Sequence, residues 1–216
     1  RDILLQQGSN SPFLPQIHMQ IGKQYDILEH FSAHVNLGAI AAVDGRFEEA
    51  EAAYRRALKL NPEAHSVRKS VGTLCYQMGA YEKAAADFPQ ILDRHPDDPE
   101  TLYNLSLALS QLKDYSGAQK AITRAIALSP DYFDAYFTLG SIVMYMQRYY
   151  EAVQAYKQAA NLEPDRADAY SALGIALLAL ERFEEAQRAF ERARELDPND
   201  ADAKNYLQQL RMKKKP

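Results

Sequence analysis

The stretch RFEEAEAAYRRALKLNP at 46–62 returns as RFEEAQRAFERARELDP at 182–198, with ten of seventeen positions identical. The two copies start 136 residues apart, four times 34. At that step Phe47, Tyr81, Tyr115, Tyr149 and Phe183 form one column, and Ala50, Ala84, Ala118, Ala152 and Ala186 another. Pro62, Pro96, Pro130, Pro164 and Pro198 form a third, and Gly38, Gly72, Ser106, Gly140 and Gly174 a fourth. The period never slips between residues 31 and 200. A fixed period of this size restricts the chain to an array of small, identical supersecondary units.

Each unit carries two helical patterns. In the fourth, Tyr136, Leu139, Gly140 and Val143 fall at i, i+3, i+4 and i+7, and Tyr149, Ala152, Tyr156 and Ala159 repeat the theme after a turn near Gln147. The proline ends the second helix, because it has no N–H for the ladder. Asp97, Asp131, Asp165 and Asn199 follow these prolines and are expected to cap the next helix. Pro89 lies inside the second helix of unit two, which predicts a kink or an early break there. Gly140 and Ala152 let the paired backbones approach, while Tyr149 and Tyr156 fill the space toward the next unit. One helix pair cannot bury its apolar face alone, so about three or more must stack.

This pattern resembles the tetratricopeptide repeat (TPR) family. The motif reads Tyr136, Leu139–Gly140, Tyr149, Ala152, Tyr156, Ala159 and Pro164 in the fourth unit. In the fifth it reads Tyr170, Leu173–Gly174, Phe183, Ala186, Phe190, Ala193 and Pro198. His34 and Arg68 replace the leading aromatic in units one and two. The resemblance implies an all-α, right-handed TPR superhelical solenoid of five 34-residue helix-turn-helix repeats, at 31–64, 65–98, 99–132, 133–166 and 167–200. Residues 201–216 read as a polar capping helix with a basic tail.

Residues 1–30 lie outside the phase. GSNSP at 8–12 reads as a loop, and Leu14, Ile17, Ile21, Tyr25 and Leu28 predict an amphipathic helix over 15–29. Two readings stand: a cap on the first unit, or a docking segment that occupies a groove. The chain opens on Arg1, which reads as a trimmed start, and with no signal peptide visible a cytoplasmic location is favoured.

The net charge of −4 predicts no strong attraction to nucleic acid, and no apolar run suggests direct membrane insertion. Nothing points to catalysis or to a cofactor. His30 and His34 stand at i, i+4 without a third ligand, so no metal is expected. The single cysteine, Cys75, occupies a core-facing offset and reads as an inert thiol. Glu48, Glu49, Glu184 and Glu185 open second helices, where they favour the dipole.

In the TPR family the first helices line a concave groove that receives an extended peptide or a partner helix. Carried over by offset, the groove comprises Asn36, Lys69, Thr73, Tyr76, Tyr103, Asn104, Phe137, Thr138, Ser141, Met144 and Tyr145. Asn36 and Asn104 sit where the family uses an amide to grip a peptide backbone, since an amide both donates and accepts. The aromatic residues would seat apolar side chains. The family's clamp for acidic chaperone tails does not match, because Asp134 stands where a basic residue is required. Tyr132, Phe133 and Tyr150 exceed what the repeat needs. They mark either a second contact patch or bulky filling between units.

The implied activity is non-catalytic: a protein-interaction scaffold for a protein or peptide ligand, compatible with homo-oligomer assembly. The alternative is a substrate-recruiting domain cut from a larger enzyme such as a glycosyltransferase, kinase or peptidase.

Overall fold

The computed structural model describes residues 14–213, with side chains from 27 to 209. The loop expected at 8–12 lies outside them. The described residues form eleven helices and no strand. In chain order these are α1 (Leu14–Val43), α2 (Phe47–Leu60), α3 (His65–Gln77), α4 (Tyr81–Leu92), α5 (Pro99–Gln111) and α6 (Tyr115–Leu128). There follow α7 (Phe133–Tyr145), α8 (Tyr149–Leu162), α9 (Ala167–Ala179), α10 (Phe183–Leu196) and α11 (Ala201–Lys213). Contacts divide the chain into two compact units, Arg1–Asp87 and Phe88–Pro216. No helix among the described residues is long and apolar enough to cross a membrane.

The first compact unit is built on α1 packed against α2. Gly38 lies under the Tyr54 ring, where a Cβ would come within 2.6 Å of ring carbons. Ala41, Ala50, Ala53 and Ala57 are buried around that contact, and Val67, Val71, Leu74 and Cys75 are buried on α3. Arg55 on α2 reaches Glu51 at 2.7 Å and Asp87 on α4 at 3.3 Å.

The second compact unit repeats this join. Gly140 on α7 lies under Tyr156 on α8, and Gly174 on α9 under Phe190 on α10. At the same offset in the preceding pair, Ser106 takes the glycine's place and a smaller side chain, Ile122, takes the ring's. At the far end Leu207 and Ala203 of α11 are buried, and the Tyr206 ring stacks on Phe190 at 5.0 Å. Lys204, Asn205, Gln208 and Gln209 of α11 are exposed.

Every turn between the first and second helix of a repeat uses one left-handed residue: Gly45, Gly79, Lys113, Gln147 and Glu181, spaced by 34. The next residue's N–H returns to the carbonyl five back, as in Arg46 to Ala41 (2.8 Å) and Arg148 to Val143 (2.8 Å). This is a Schellman closure, which satisfies carbonyls orphaned at the helix end.

Two local expectations are corrected, and a third, at Pro89, holds in part. The predicted helix over 15–29 does not stop before the first unit, because α1 runs unbroken from Leu14 to Val43. Leu28 occupies the offset where Pro62, Pro96, Pro130, Pro164 and Pro198 stand, so nothing there withholds a backbone donor. The acids after the prolines do not cap the next helix. Asp98, one residue later than Asp97, accepts from the N–H groups of Glu100 and Thr101, and Asp200 accepts from Ala203. α7 and α9 have Tyr132 and Arg166 at their N-cap positions, and neither side chain makes a capping hydrogen bond. The turn after each proline is one residue longer than a cap at Asp97, Asp131 or Asp165 requires. Finally, α4 continues through Pro89 and ends at Leu92, two residues short of the offset at which α2, α6, α8 and α10 end.

Candidate functional site

On α1, Asn36 is exposed and its amide has no partner among the described residues. On α3, Lys69, Thr73 and Tyr76 are half-buried. The Thr73 hydroxyl donates to the Lys69 carbonyl at 3.0 Å, and the Tyr76 ring lies 5.3 Å from Tyr81 at 60°. Both side chains are therefore partly engaged within their own compact unit.

In the second compact unit, α5, α7 and α9 carry the remaining candidates. Asn104 is half-buried with no side-chain hydrogen bond among the described residues. Tyr103 tilts against Tyr132 at 5.2 Å. Phe137 sits between Phe133, stacked at 6.0 Å, and the edge of Tyr156 at 5.5 Å. Ser141 donates to the Phe137 carbonyl at 3.2 Å and lies 3.1 Å from the Tyr156 hydroxyl. Met144 packs on the cluster around Tyr156 and Leu177, and Thr138 is half-buried. Tyr145 differs from all of these: it is 70% exposed, and its ring stacks on Tyr115 at 5.3 Å and 6°. Phe137, Ser141 and Met144 are thus engaged with their neighbours, whereas the Tyr145 ring is largely exposed and the Asn104 amide has no side-chain hydrogen bond among the described residues.

Asp134 is exposed with no ion pair among the described residues, whereas Asp168 is held by Arg166 at 2.7 Å. Arg166 also lies 4.2 Å over the Phe133 ring, a cation–π contact. Burial pushes the Tyr132 hydroxyl up to about 12, with Tyr103 and the carboxylates of Asp134, Glu100 and Asp98 adding to it.

The three surplus aromatics do not come together. Phe133 is buried and Tyr132 half-buried at the start of α7, whereas Tyr150 is 64% exposed beyond its end. A 13-residue helix separates them, roughly 20 Å. Phe133 fills space between helices, and Tyr150 stands apart from it.

Sequence reasoning treated Tyr115 only as a repeat position. Its role as the base of the Tyr145 stack depends on a contact across 30 residues, for which periodicity carries no signal. It also passed over a shallow depression on α6 lined by Gln119, Lys120, Thr123, Arg124 and Ala127. Cys75 is buried, its thiol pushed up by that burial and by Glu51. Among the described residues no group of three or more His, Cys, Asp or Glu side chains is placed to hold a metal ion.

Tetratricopeptide repeat sequence models match residues 23–65, 35–99, 76–142 and 143–210. The crystal structure of MamA protein is similar at 26% identity, covering 80% of this chain and 94% of that one, with a TM-score of 0.73. YrrB, described as a TPR protein with an unusual peptide-binding site, shares 22% identity over 80% of this chain and 89% of its own, with a TM-score of 0.68. A tetratricopeptide repeat protein from Parabacteroides merdae shares 16% identity over 85% and 73%, with a TM-score of 0.76. No curated protein matches the sequence.

Proposed function

Since the chain belongs to the tetratricopeptide repeat family, whose models together span residues 23–210, we propose that it is a non-catalytic interaction module that binds an extended peptide along its first helices. In this reading Asn104 grips the ligand backbone, and Tyr103, Phe137, Met144 and Tyr145 seat its apolar side chains. In the first compact unit Asn36, Lys69, Thr73 and Tyr76 offer a contact surface of their own. Thr138 and Ser141 offer hydroxyls between the apolar seats.

The observation that carries this reading is Tyr145, a large aromatic left mostly exposed yet held flat against Tyr115. A ring fixed before binding loses little entropy when a ligand covers it, and such rings are favoured anchors. The open amide of Asn104 supports the same reading, because a hydrogen-bonding group with no intramolecular partner is available to a ligand.

The test is selection from a displayed peptide library on the intact chain, followed by affinity measurement with Asn104→Ala and Tyr145→Ala. Each substitution is expected to weaken selected peptides about 10-fold, and the pair more. Peptides that bind the doubly substituted chain as well as the original would sink the proposal.

A further inference from the structure

The leading face of α1 is apolar and uncovered. Ala33, Leu37 and Ile40 stand at i, i+4 and i+7, on one line of the helix. Ile40 is 57% exposed, Leu37 47%, and Ala33 is exposed. At the offset of Ile40, Leu74, Ala108, Ile142 and Ala176 are exposed by no more than 4%. At the offset of Ala33, Val67, Thr101, Ala135, Ala169 and Ala203 are likewise buried. On α7, α9 and α11 residues of this line share buried clusters with the helix that precedes them, as Ala135 and Ile142 do with Ile122, Ala169 with Ala159, and Ala203 with Phe190. Among the described residues, only the first repeat leaves it open. The concentration is local, since five of the eleven exposed large hydrophobics among the described residues, Ile27, Leu28, Leu37, Ile40 and Val43, lie on α1.

Two coverings are excluded by what surrounds the face. The rest of α1 cannot fold onto it, because residues 14–28 continue the same helix without a break. The far end of another copy does not match it, because α11 presents Lys204, Asn205, Gln208 and Gln209 there. The chemistry that complements the face is the face itself. His30 and Leu37 are spaced by seven, and Asp44 follows at the same step just past the end of α1. His30 and Asp44 are both exposed, and Asp44 also pairs with Arg46 of its own chain at 2.9 Å. An antiparallel approach of two copies about Leu37 sets each His30 beside the other copy's Asp44, with the apolar residues between them.

We infer that the Ala33–Leu37–Ile40 face of α1 joins two copies of this chain in a two-fold, head-to-head dimer. Such an interface is isologous and closes at two copies. It stands independently of the peptide-binding reading, because none of its three apolar residues belongs to that site.

The test is light scattering on the whole chain at micromolar concentration, with the Leu37→Asp, Ile40→Asp double variant. The original chain is expected at twice the monomer mass. The double variant is expected as a monomer of unchanged helicity, its association weakened at least about 100-fold. Oxidation of Leu37→Cys in a Cys75→Ser background is expected to link two copies, and Asn205→Cys in the same background is not. A chain that stays monomeric at all concentrations overturns the inference, and so does a dimer that survives the double variant. A monomer whose Leu37→Cys thiol resists labelling also overturns it, and assigns the cover to the residues before Leu14.

Discussion

Gly140 faces the Tyr156 ring so closely that a Cβ on it would lie 2.6 Å from the ring's Cε1. Tyr156 is itself buried, with its hydroxyl 3.1 Å from Ser141, so the ring has little room to retreat. Gly140→Ala is therefore expected to lose about 2 kcal/mol of stability: over-packing costs up to about 3 kcal/mol, and alanine's helix propensity returns about 1. The preceding repeat shows the remedy, since Ser106 coexists there with Ile122. In a Tyr156→Ile background, the same Gly140→Ala change is expected to be neutral or stabilising. Urea unfolding of the four chains measures this, and strict additivity would show that the ring contact is not the cause.

The five left-handed turn residues allow a prediction of opposite sign. Lys113, Gln147 and Glu181 adopt φ of 62°, 59° and 57°, where a side chain is strained and glycine is not. Replacing each by glycine is expected to stabilise the chain by about 0.5–1 kcal/mol, less what the freer unfolded chain takes back. Gly45→Ala and Gly79→Ala are expected to cost about 1 kcal/mol each, though neither Cβ would meet any atom. A triple glycine variant with a lower urea midpoint than the parent would contradict the assignment of strain.

These turns also show what the sequence made legible. Columns of Ala, Gly, aromatic and Pro residues at a step of 34 announced the helix pairs, because close packing needs a small residue opposite a large one at every join. The left-handed position was hidden, since only Gly45 and Gly79 carry its signature. At Lys113, Gln147 and Glu181 the closing hydrogen bonds impose the conformation despite the side chain. The unbroken α1 was readable from Leu28 at the proline offset, but the periodicity of 14–28 drew the boundary elsewhere. Of the candidate site, the offsets identified which residues lie on first helices. They carried no information on which of these are engaged, as Phe137 is, or open, as Tyr145 is.

Tyr132 predicts an alkaline limb in the stability profile. Its hydroxyl holds its proton to about 12 when folded, against 10.0 for an unperturbed tyrosine. Below the unfolded value both states are protonated and the contribution is fully present. As pH rises from about 10 through 12, the unfolded chain ionises first and stability is lost. The full shift corresponds to about 2.7 kcal/mol, and screening at a half-exposed ring reduces this to about 1 kcal/mol. Tyr132→Phe is expected to flatten that limb, so that the melting temperature falls less between pH 10 and 12 than in the parent. Identical slopes in the two chains would remove Tyr132 as the cause.

Tyr145 tests whether its ring is held before any ligand arrives. An exposed tyrosine with no neighbour contributes almost nothing to folding, whereas one stacked at 5.3 Å and 6° on Tyr115 is coupled to it. A double-mutant cycle with Tyr115→Ala and Tyr145→Ala is expected to give a coupling of about 0.5–1 kcal/mol, the lower range for stacked rings because one face stays in water. Tyr115→Ala alone costs more than Tyr145→Ala, since Tyr115 also packs on the cluster around Leu102, Ile122 and Ile142. The same Tyr115→Ala change is expected to weaken selected peptides nearly as much as Tyr145→Ala does, although Tyr115 need touch no ligand. A coupling of zero would mean that Tyr145 swings free, and the argument that it is a pre-set anchor would lose its physical basis.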